Sequence, residues 1–265
     1  MKIGVSIEPI VPILKDIQEF LEDLFVELEN VKNIEIHTND LDEFVIFLLN
    51  LSKKFDLEYS VHCPHAYSKE KVNFCSGKIG DIHNAEKWLR KSIEYSKKIK
   101  AKRILIHPDI PVNASKAKAL KILEKHIKNN LKFLDKEQNI LIENMPSKKC
   151  ALSTPSEFKS FLKRFNNQVG VCWDVGHEIQ RFKNQNFTFP KILKLKIKEV
   201  HISGLMKSKN FEDHHPLTEG ELNLSNCIKS LKKIKYNGSI ILEVLTKNPM
   251  DIINSKKELE KFLKN

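Results

Sequence analysis

Glycine is scarce in this chain, eight in 265 residues, and neither GxGxxG nor GxxxxGK followed by Ser or Thr occurs. Such loops let the backbone close on phosphates at a helix N-terminus, so their lack counts against a dinucleotide- or P-loop-binding fold. Cysteine is also sparse: Cys63, Cys75, Cys150, Cys172 and Cys227 are odd in number, scattered, and without a CxxC pair. No disulfide framework or closed Cys-rich zinc site can be read from that pattern, and reduced thiols in the cytoplasm are the expectation. No apolar run approaches the ~20 residues that span a bilayer, so no membrane partner is expected. The opening MKIGVSIEPI lacks the basic region and long apolar stretch of a signal peptide. Acidic residues are the minority, 34 against 45 Lys and Arg, for a formal net charge of +11. A basic balance can mean a nucleic-acid partner. Here the lysines are spread along every helical stretch, as in KWLRKSIEYSKKIKAK and SLKKIKY, which reads first as solvation of helix surfaces.

What is present is a repeated alternation. Apolar strand-like runs occur at Lys2–Ile7, Asn33–His37, Leu57–Cys63, Lys102–His107, Asn139–Glu143, Gln168–Trp173, Ile197–Ile202 and Ser239–Glu243. Between them lie helical patterns: Ile13–Leu28, with Leu14, Ile17, Leu21, Leu24, Phe25 and Leu28 at helical spacing; Phe44–Phe55, opened by Asp40 and Asp42; Asp81–Lys100; Ser115–Lys136; a helix to Phe165, opened by Ser153-Thr154-Pro155; a broken stretch from the sixth strand to Leu195; Ser225–Ile234; and Asp251–Leu263. Alternation of this kind implies a parallel sheet. Eight repeats of about 30 residues with no composition break predict one domain over 1–265, an α/β chain closed as a single (β/α)8 TIM barrel.

The strand ends carry the chemistry. Val169-Gly170-Val171-Cys172-Trp173-Asp174 is an apolar run that stops in a carboxylate. A buried strand wants both faces apolar, so a charge at its last position must leave the core or find a partner. His62, His107, Glu143, His201 and Glu243 end other strands in the same way, His177 follows the sixth strand, and Asp213 and His215 lie in the loop after the seventh. In a barrel of this kind the site lies at the C-terminal ends of the strands. A solvated Glu or a satisfied structural His explains any one of these ends, but not six together. Converging carboxylates and imidazoles suit one to three divalent ions, Mn²⁺ or Zn²⁺, in an open site. Glu143, Asp174, His201 and Glu243 would form one shell; His177, Asp213 and His215 a second; His107 with Glu143 could begin a third. Asp213-x-His215 is expected to place both side chains on one side of an extended loop, with His214 pointing away. Trp173 reads first as packing and second as a pocket wall. Trp88 reads as core. Glu35 and His37 read first as ordinary strand-end groups, with a lesser claim to reach substrate.

The ordered motifs Val61-His62-x-Pro64, Ile106-His107-Pro108, Leu141-Ile142-Glu143-Asn144, Gly170-Val171-Cys172-Trp173-Asp174-x-Gly176-His177, Val200-His201-Ile202-Ser203, Asp213-His214-His215-Pro216-Leu217-x-Glu219-Gly220 and Ile241-Leu242-Glu243 resemble the xylose isomerase-like TIM-barrel superfamily. That group includes sugar-phosphate isomerases and epimerases and the endonuclease IV family. The resemblance implies that Glu143, Asp174, His201 and Glu243 bind a shared metal, and that His177, Asp213, His215 and His107 match ligands of further metals in the endonuclease branch. One departure is Cys75-Ser76, where a His of that branch is expected in the loop after the third strand; a Cys75 thiolate could replace it.

Two chemistries fit. In a sugar or sugar-phosphate isomerase or epimerase, Glu143 and Glu243 act as a catalytic pair across a carbon, with a metal-stabilised enediolate between proton transfers. His177 holds a substrate hydroxyl, His62 and Trp173 contact the sugar, and Lys207 or Lys148 meets a phosphate. In the alternative, an endonuclease IV-like phosphodiesterase, two or three ions activate a water at abasic DNA. The lost His and short loops favour the first; the Asp174/His177 and Asp213/His215 pairs and the basic charge favour the second. A metal-binding barrel without catalysis is a third, weaker reading. The oligomeric state is not legible.

Overall fold

A computed structural model describes residues 1–7, 24–38, 45–66, 68–109, 115–246 and 248–264. The expected first helix lies mostly outside the described residues, as do Asp40 and Asp42. The strands are β1 (Lys2–Ser6), β2 (Val31–His37), β3 (Glu58–His62), β4 (Arg103–Ile106), β5 (Asn139–Glu143), β6 (Val169–Asp174), β7 (Ile197–Ile202), β8 (Gly204–Met206), β9 (Glu212–His215) and β10 (Ser239–Leu242). Eight of them close into a parallel barrel in the order β1-β10-β7-β6-β5-β4-β3-β2. The expected TIM barrel is therefore the observed fold.

Helices cover the outside because each presents one apolar stripe. In Ile79–Lys98, Ala85, Leu89, Ser92, Ile93 and Ser96 are buried at helical spacing, while Lys97 and Lys98 end the helix. Ser153-Thr154-Pro155 opens Pro155–Leu162 as expected: Thr154 caps the backbone N–H of Glu157, and the Glu157 carboxylate accepts the Thr154 N–H in return. That helix stops at Leu162 instead of Phe165, and the expected Ser115–Lys136 is a helix only over Lys116–Leu131.

One element was not anticipated. The loop after β7 contains an antiparallel ribbon of β8 and β9. Its return requires close backbone approach at two glycines. A Cβ at Gly204 would stand 2.1 Å from the Pro216 carbonyl oxygen, and one at Gly220 would stand 2.3 Å from the Leu205 nitrogen.

Strand pairing fixes what the barrel encloses. The registers Ser60↔Arg103, Leu105↔Leu141, Glu143↔Cys172, Asp174↔His201 and Glu35↔Ser60 share one parity, so these residues face inward together. Low in the barrel, Glu199 accepts from Asn33 Nδ2 at 3.2 Å and pairs with Arg103 Nε at 2.9 Å. Leu105, Leu141 and Cys172 form a small apolar cluster of their own, apart from the core between sheet and helices. At the C-terminal end the inward positions become carboxylates and imidazoles.

Candidate metal centre at the barrel mouth

Glu143 sits at the middle of the mouth. Its Oε2 lies 3.0 Å from His107 Nε2, 3.8 Å from His62 Nε2 and 3.7 Å from His201 Nδ1, and its Oε1 lies 2.9 Å from His177 Nδ1. Glu243 approaches from the end of β10, its Oε2 2.9 Å from His201 Nδ1 and 3.8 Å from His214 Nδ1. Asp174 caps the following helix, Val175–Phe182, by accepting the His177 N–H, and its Oδ1 lies 3.7 Å from His177 Nδ1. Asp213 Oδ2 is 3.6 Å from His177 Nε2, and Asp213 Oδ1 is 3.6 Å from His214 Nε2.

Asn144 ties two of these strands together. Its amide donates to the Asp174 carbonyl at 2.9 Å and accepts the Asp174 N–H at 2.8 Å. The Asn144 carbonyl lies 2.9 Å from His177 Nδ1. Nδ1–H thus has two acceptors, that carbonyl and Glu143, while Nε2 is turned toward Asp213. His62 is oriented in the same manner, with Nδ1 2.7 Å from its neighbour's carbonyl at Cys63 and Nε2 3.0 Å from His107 Nε2.

The electrostatics follow from crowding in a dry space. Burial pushes the Asp174 carboxyl up to about 7, with Glu143, Asp213 and Glu243 adding to the effect against the pull of His177. Burial opposes charge on His62 as well, but contact with Glu143 and the fields of Glu35 and Glu243 prevail and hold it up at about 9. His177 is raised well above the ordinary range because Asp174, Glu143 and Asp213 outweigh its burial, and His201 is raised likewise by Cys172, then Glu35 and Glu243, against its burial. Glu143 is held well below its ordinary range, since His107, His177 and His62 outweigh its burial. The protein's own protons thus stand where positive charge is wanted.

The donor set fits a divalent cation. Ligand atoms of His62, His107 and Glu143 lie within 4.8 Å of one another, as do those of Glu143, Asp174 and His177, of Glu143, Cys172 and His201, and of His177, Asp213 and His214. Asp213 Oδ2 is buried with no hydrogen-bond partner, a costly state for a carboxylate unless something positive meets it. Mixed imidazole and carboxylate donors suit Zn²⁺ or Mn²⁺.

Several expected placements are corrected. His215 is not brought to the cluster: its Nε2 turns to Glu212 Oε2 at 3.3 Å, with 23% of its side chain exposed. His214, expected to point away, faces the site. The reason is its left-handed backbone, φ 64°, which breaks the alternation assumed for an extended loop. Trp173 does not line the mouth. It is fully buried on the helix side of β6, donates from Nε1 to Glu178 Oε2 at 2.7 Å, and packs edge-on against Phe187. Lys207 stands exposed in the turn Lys207–Lys209, apart from the packed donors, and Lys148 is likewise exposed. His62, read as a sugar contact, does stand at the mouth, 1% exposed, with its ring nitrogen close to His107 and Glu143. Cys75 is fully buried beside Asp109 and Cys150, and burial raises its thiol well above the ordinary range, which does not suit a thiolate ligand.

Sequence reasoning undervalued two groups. Glu35 is fully buried, its Oε2 3.0 Å from His201 Nε2. The His37 ring stacks on His62 with centroids 4.2 Å apart. The signal was present in the period-two alternation of Asn33–His37, which puts Asn33, Glu35 and His37 on one face. His65 was also passed over; its ring stacks on His107 at 4.9 Å.

The family model described as a xylose isomerase-like TIM barrel matches residues 25–264. An uncharacterised protein of Methanocaldococcus jannaschii is 28% identical over 264 residues, covering 98% of this chain and 99% of that one. A solved D-tagatose 3-epimerase-like protein superposes with a TM-score of 0.81 at 23% identity, covering 100% of this chain and 97% of the other. The IolI protein, solved with a zinc atom, superposes with a TM-score of 0.71 at 15% identity over 99% of this chain and 96% of that one. With nearly its whole length matched, the chain belongs to the xylose isomerase-like TIM-barrel family.

Proposed function

We propose that this chain is a divalent-metal-dependent isomerase or epimerase of a sugar or sugar phosphate. The observation that carries the reading is the convergence of Glu143 and Glu243, from the ends of strands separated by β6 and β7, on one nitrogen of the His201 ring, 3.7 and 2.9 Å from its Nδ1. Glu143, Asp174, His201 and Glu243 would hold the ion, whose contribution when bound is to polarise a substrate carbonyl and stabilise negative charge beside it.

The remaining chemistry belongs to the side chains. A carbon next to a carbonyl would lose its proton to a carboxylate and regain one either from that group, now protonated, or from the facing group in its carboxylic acid form, which is left ionised. Return from the opposite face inverts the centre; return to the neighbouring carbon isomerises. In this reading Glu143 and Glu243 would be the two such groups, and His177 and His62 would hold hydroxyls or share the ligand shell. The closed lower barrel, filled by Leu105, Leu141 and Cys172, keeps bulk water from that end.

A second reading has its own observation. The groups His62–His107–Glu143 and His177–Asp213–His214 stand beside the Glu143, Asp174, His201 and Glu243 set, with Glu143 shared, and so offer more than one cation position. Ions about 3.5–4 Å apart suit phosphodiester cleavage. One experiment separates the two. The purified protein is assayed for metal content, for deuterium uptake from D₂O by ketohexoses and their phosphates, and for nicking of a duplex with an abasic site. Deuterium at the carbon beside the carbonyl without nicking supports the proposal. About three zinc ions per chain with nicking and no deuterium uptake overturns it.

The two adjacent histidines give a sharper check. His214→Ala is expected to weaken Zn²⁺ binding by about 10–100-fold, and His215→Ala to leave it unchanged within error with stability altered by no more than ~0.5 kcal/mol. Zn²⁺ titration of the two metal-free variants against a colorimetric chelator decides the matter. A silent His214→Ala beside a defective His215→Ala would reverse the assignment.

A further inference from the structure

We propose that Glu35 is a positioning residue for His201: it takes the Nε2–H of the ring and thereby turns Nδ1, as a bare lone pair, to the metal site. The inference rests on the proposed metal-dependent reading and names a supporting group outside the proposed ligand set.

Each ring nitrogen of His201 faces a carboxylate, Nε2 that of Glu35 and Nδ1 that of Glu243, and the two sides differ in what else stands there. β2 and β7 are not neighbours in the barrel, so the Glu35–His201 contact crosses the lumen. Both side chains have no exposure, and the Oε2–Nε2 distance is 3.0 Å. The opposite ring nitrogen, Nδ1, faces Glu243 at 2.9 Å and Glu143 at 3.7 Å, the two carboxylates of the shell. A neutral imidazole carries one N–H and one lone pair, and a partner at one nitrogen fixes which is which. Glu35 Oε2 only accepts when ionised, so it holds a proton at Nε2; a cation among Glu143 and Glu243 would satisfy those carboxylates and take the Nδ1 pair in place of a proton.

The alternative is that Glu35 merely fills and braces the barrel. The energetics weigh against it. Glu35 Oε1 is buried with no hydrogen-bond partner, so half of the carboxylate's desolvation is uncompensated. Glu143, Glu199 and Glu243 also stand near the same ring; burial and the Glu243 charge oppose ionisation of Glu35, and it is His201, with His62, that holds the carboxyl below its ordinary range. A well-packed apolar side chain generally does as well or better than a buried ionic group where only stability is at stake. A carboxylate behind an imidazole whose other nitrogen faces a cation site is instead the arrangement that orients a ligand and raises its basicity.

The test uses the full chain stripped of metal by chelation, with Zn²⁺ alone as the probe and a chromogenic chelator as competitor. Wild type is compared with Glu35→Leu, Glu35→Gln and Glu35→Asp. Leu removes the acceptor, and the Zn²⁺ dissociation constant should rise about 10–100-fold. Gln keeps an acceptor oxygen at the same reach and should recover most of the affinity. Asp keeps the charge but falls one methylene short, and should bind more weakly than Gln. The melting temperatures of the metal-free Gln and Asp proteins should be similar, so that the difference between them reads ring orientation and not folding; that comparison stands even if the Leu protein does not fold. Wild type that binds Zn²⁺ beside a Gln variant no better than Asp overturns the inference while leaving the metal reading intact. Wild type that binds no Zn²⁺ overturns both.

Discussion

Glu143→Gln is expected to lower turnover by about 10²–10⁴-fold while the barrel stays folded. The amide has the size of the carboxyl, so the packing around a residue with 1% exposure is kept. What is lost is the ability to accept a proton, and with it the charge that His107, His177 and His62 now surround. His177 and His62, held protonated in part by that carboxylate, lose a counter-charge and can release protons to match. The amide oxygen can still act as a weak ligand. The signature is therefore a split: metal retained at least in part by elemental analysis, with deuterium uptake from D₂O by the substrate abolished. A Gln variant that exchanges deuterium at the wild-type rate would remove Glu143 from the acid–base role and leave it only as a ligand.

Removing Asp174 should cost metal binding more than the ~10–100-fold typical of losing a supporting contact, because a first ligand disappears. Asp174 has two jobs that must be separated. Its side chain accepts the His177 N–H as the cap of Val175–Phe182, and it offers an oxygen to the donor group with Glu143 and His177. Asp174→Ala loses both, and about 1 kcal/mol of its effect belongs to the cap. Asp174→Asn keeps the cap, since Asn is as good a capping residue as Asp, and deletes the charge. Asn is expected to melt within a few degrees of wild type, with Ala below it, while both fail to retain metal after gel filtration. A metal-replete, fully active Asn variant would show that the carboxylate serves the helix and not the ion. Glu243→Ala, which caps nothing, should behave like Asp174→Asn.

Much of this was legible in the chain because strand physics is local. An apolar run bounded by Pro or Gly announces a buried strand, and a charge at its end announces a rim. Hence His107, Glu143, Asp174, His177, His201, Asp213 and Glu243 could be marked as candidates before any coordinates, and all seven meet at one mouth. The ribbon of β8 and β9 was not visible, because its strands are short and Gly204 and Gly220 work through distant backbone contacts that no pattern of neighbours encodes.

The sequence by itself determined the eight-fold alternation, the closed parallel barrel, and the set of ionisable groups carried to its C-terminal rim, since each depends on periodicity within a few residues. Only the tertiary structure decided which of two adjacent histidines faces inward, that Trp173 turns to Glu178 on the helix side, and that Glu35 reaches across to His201. The physical reason is common to all three. A side chain's direction depends on the backbone dihedral at its own position and on what stands across the lumen, and barrel closure brings together residues such as Glu35 and His201 that lie 166 apart in the chain.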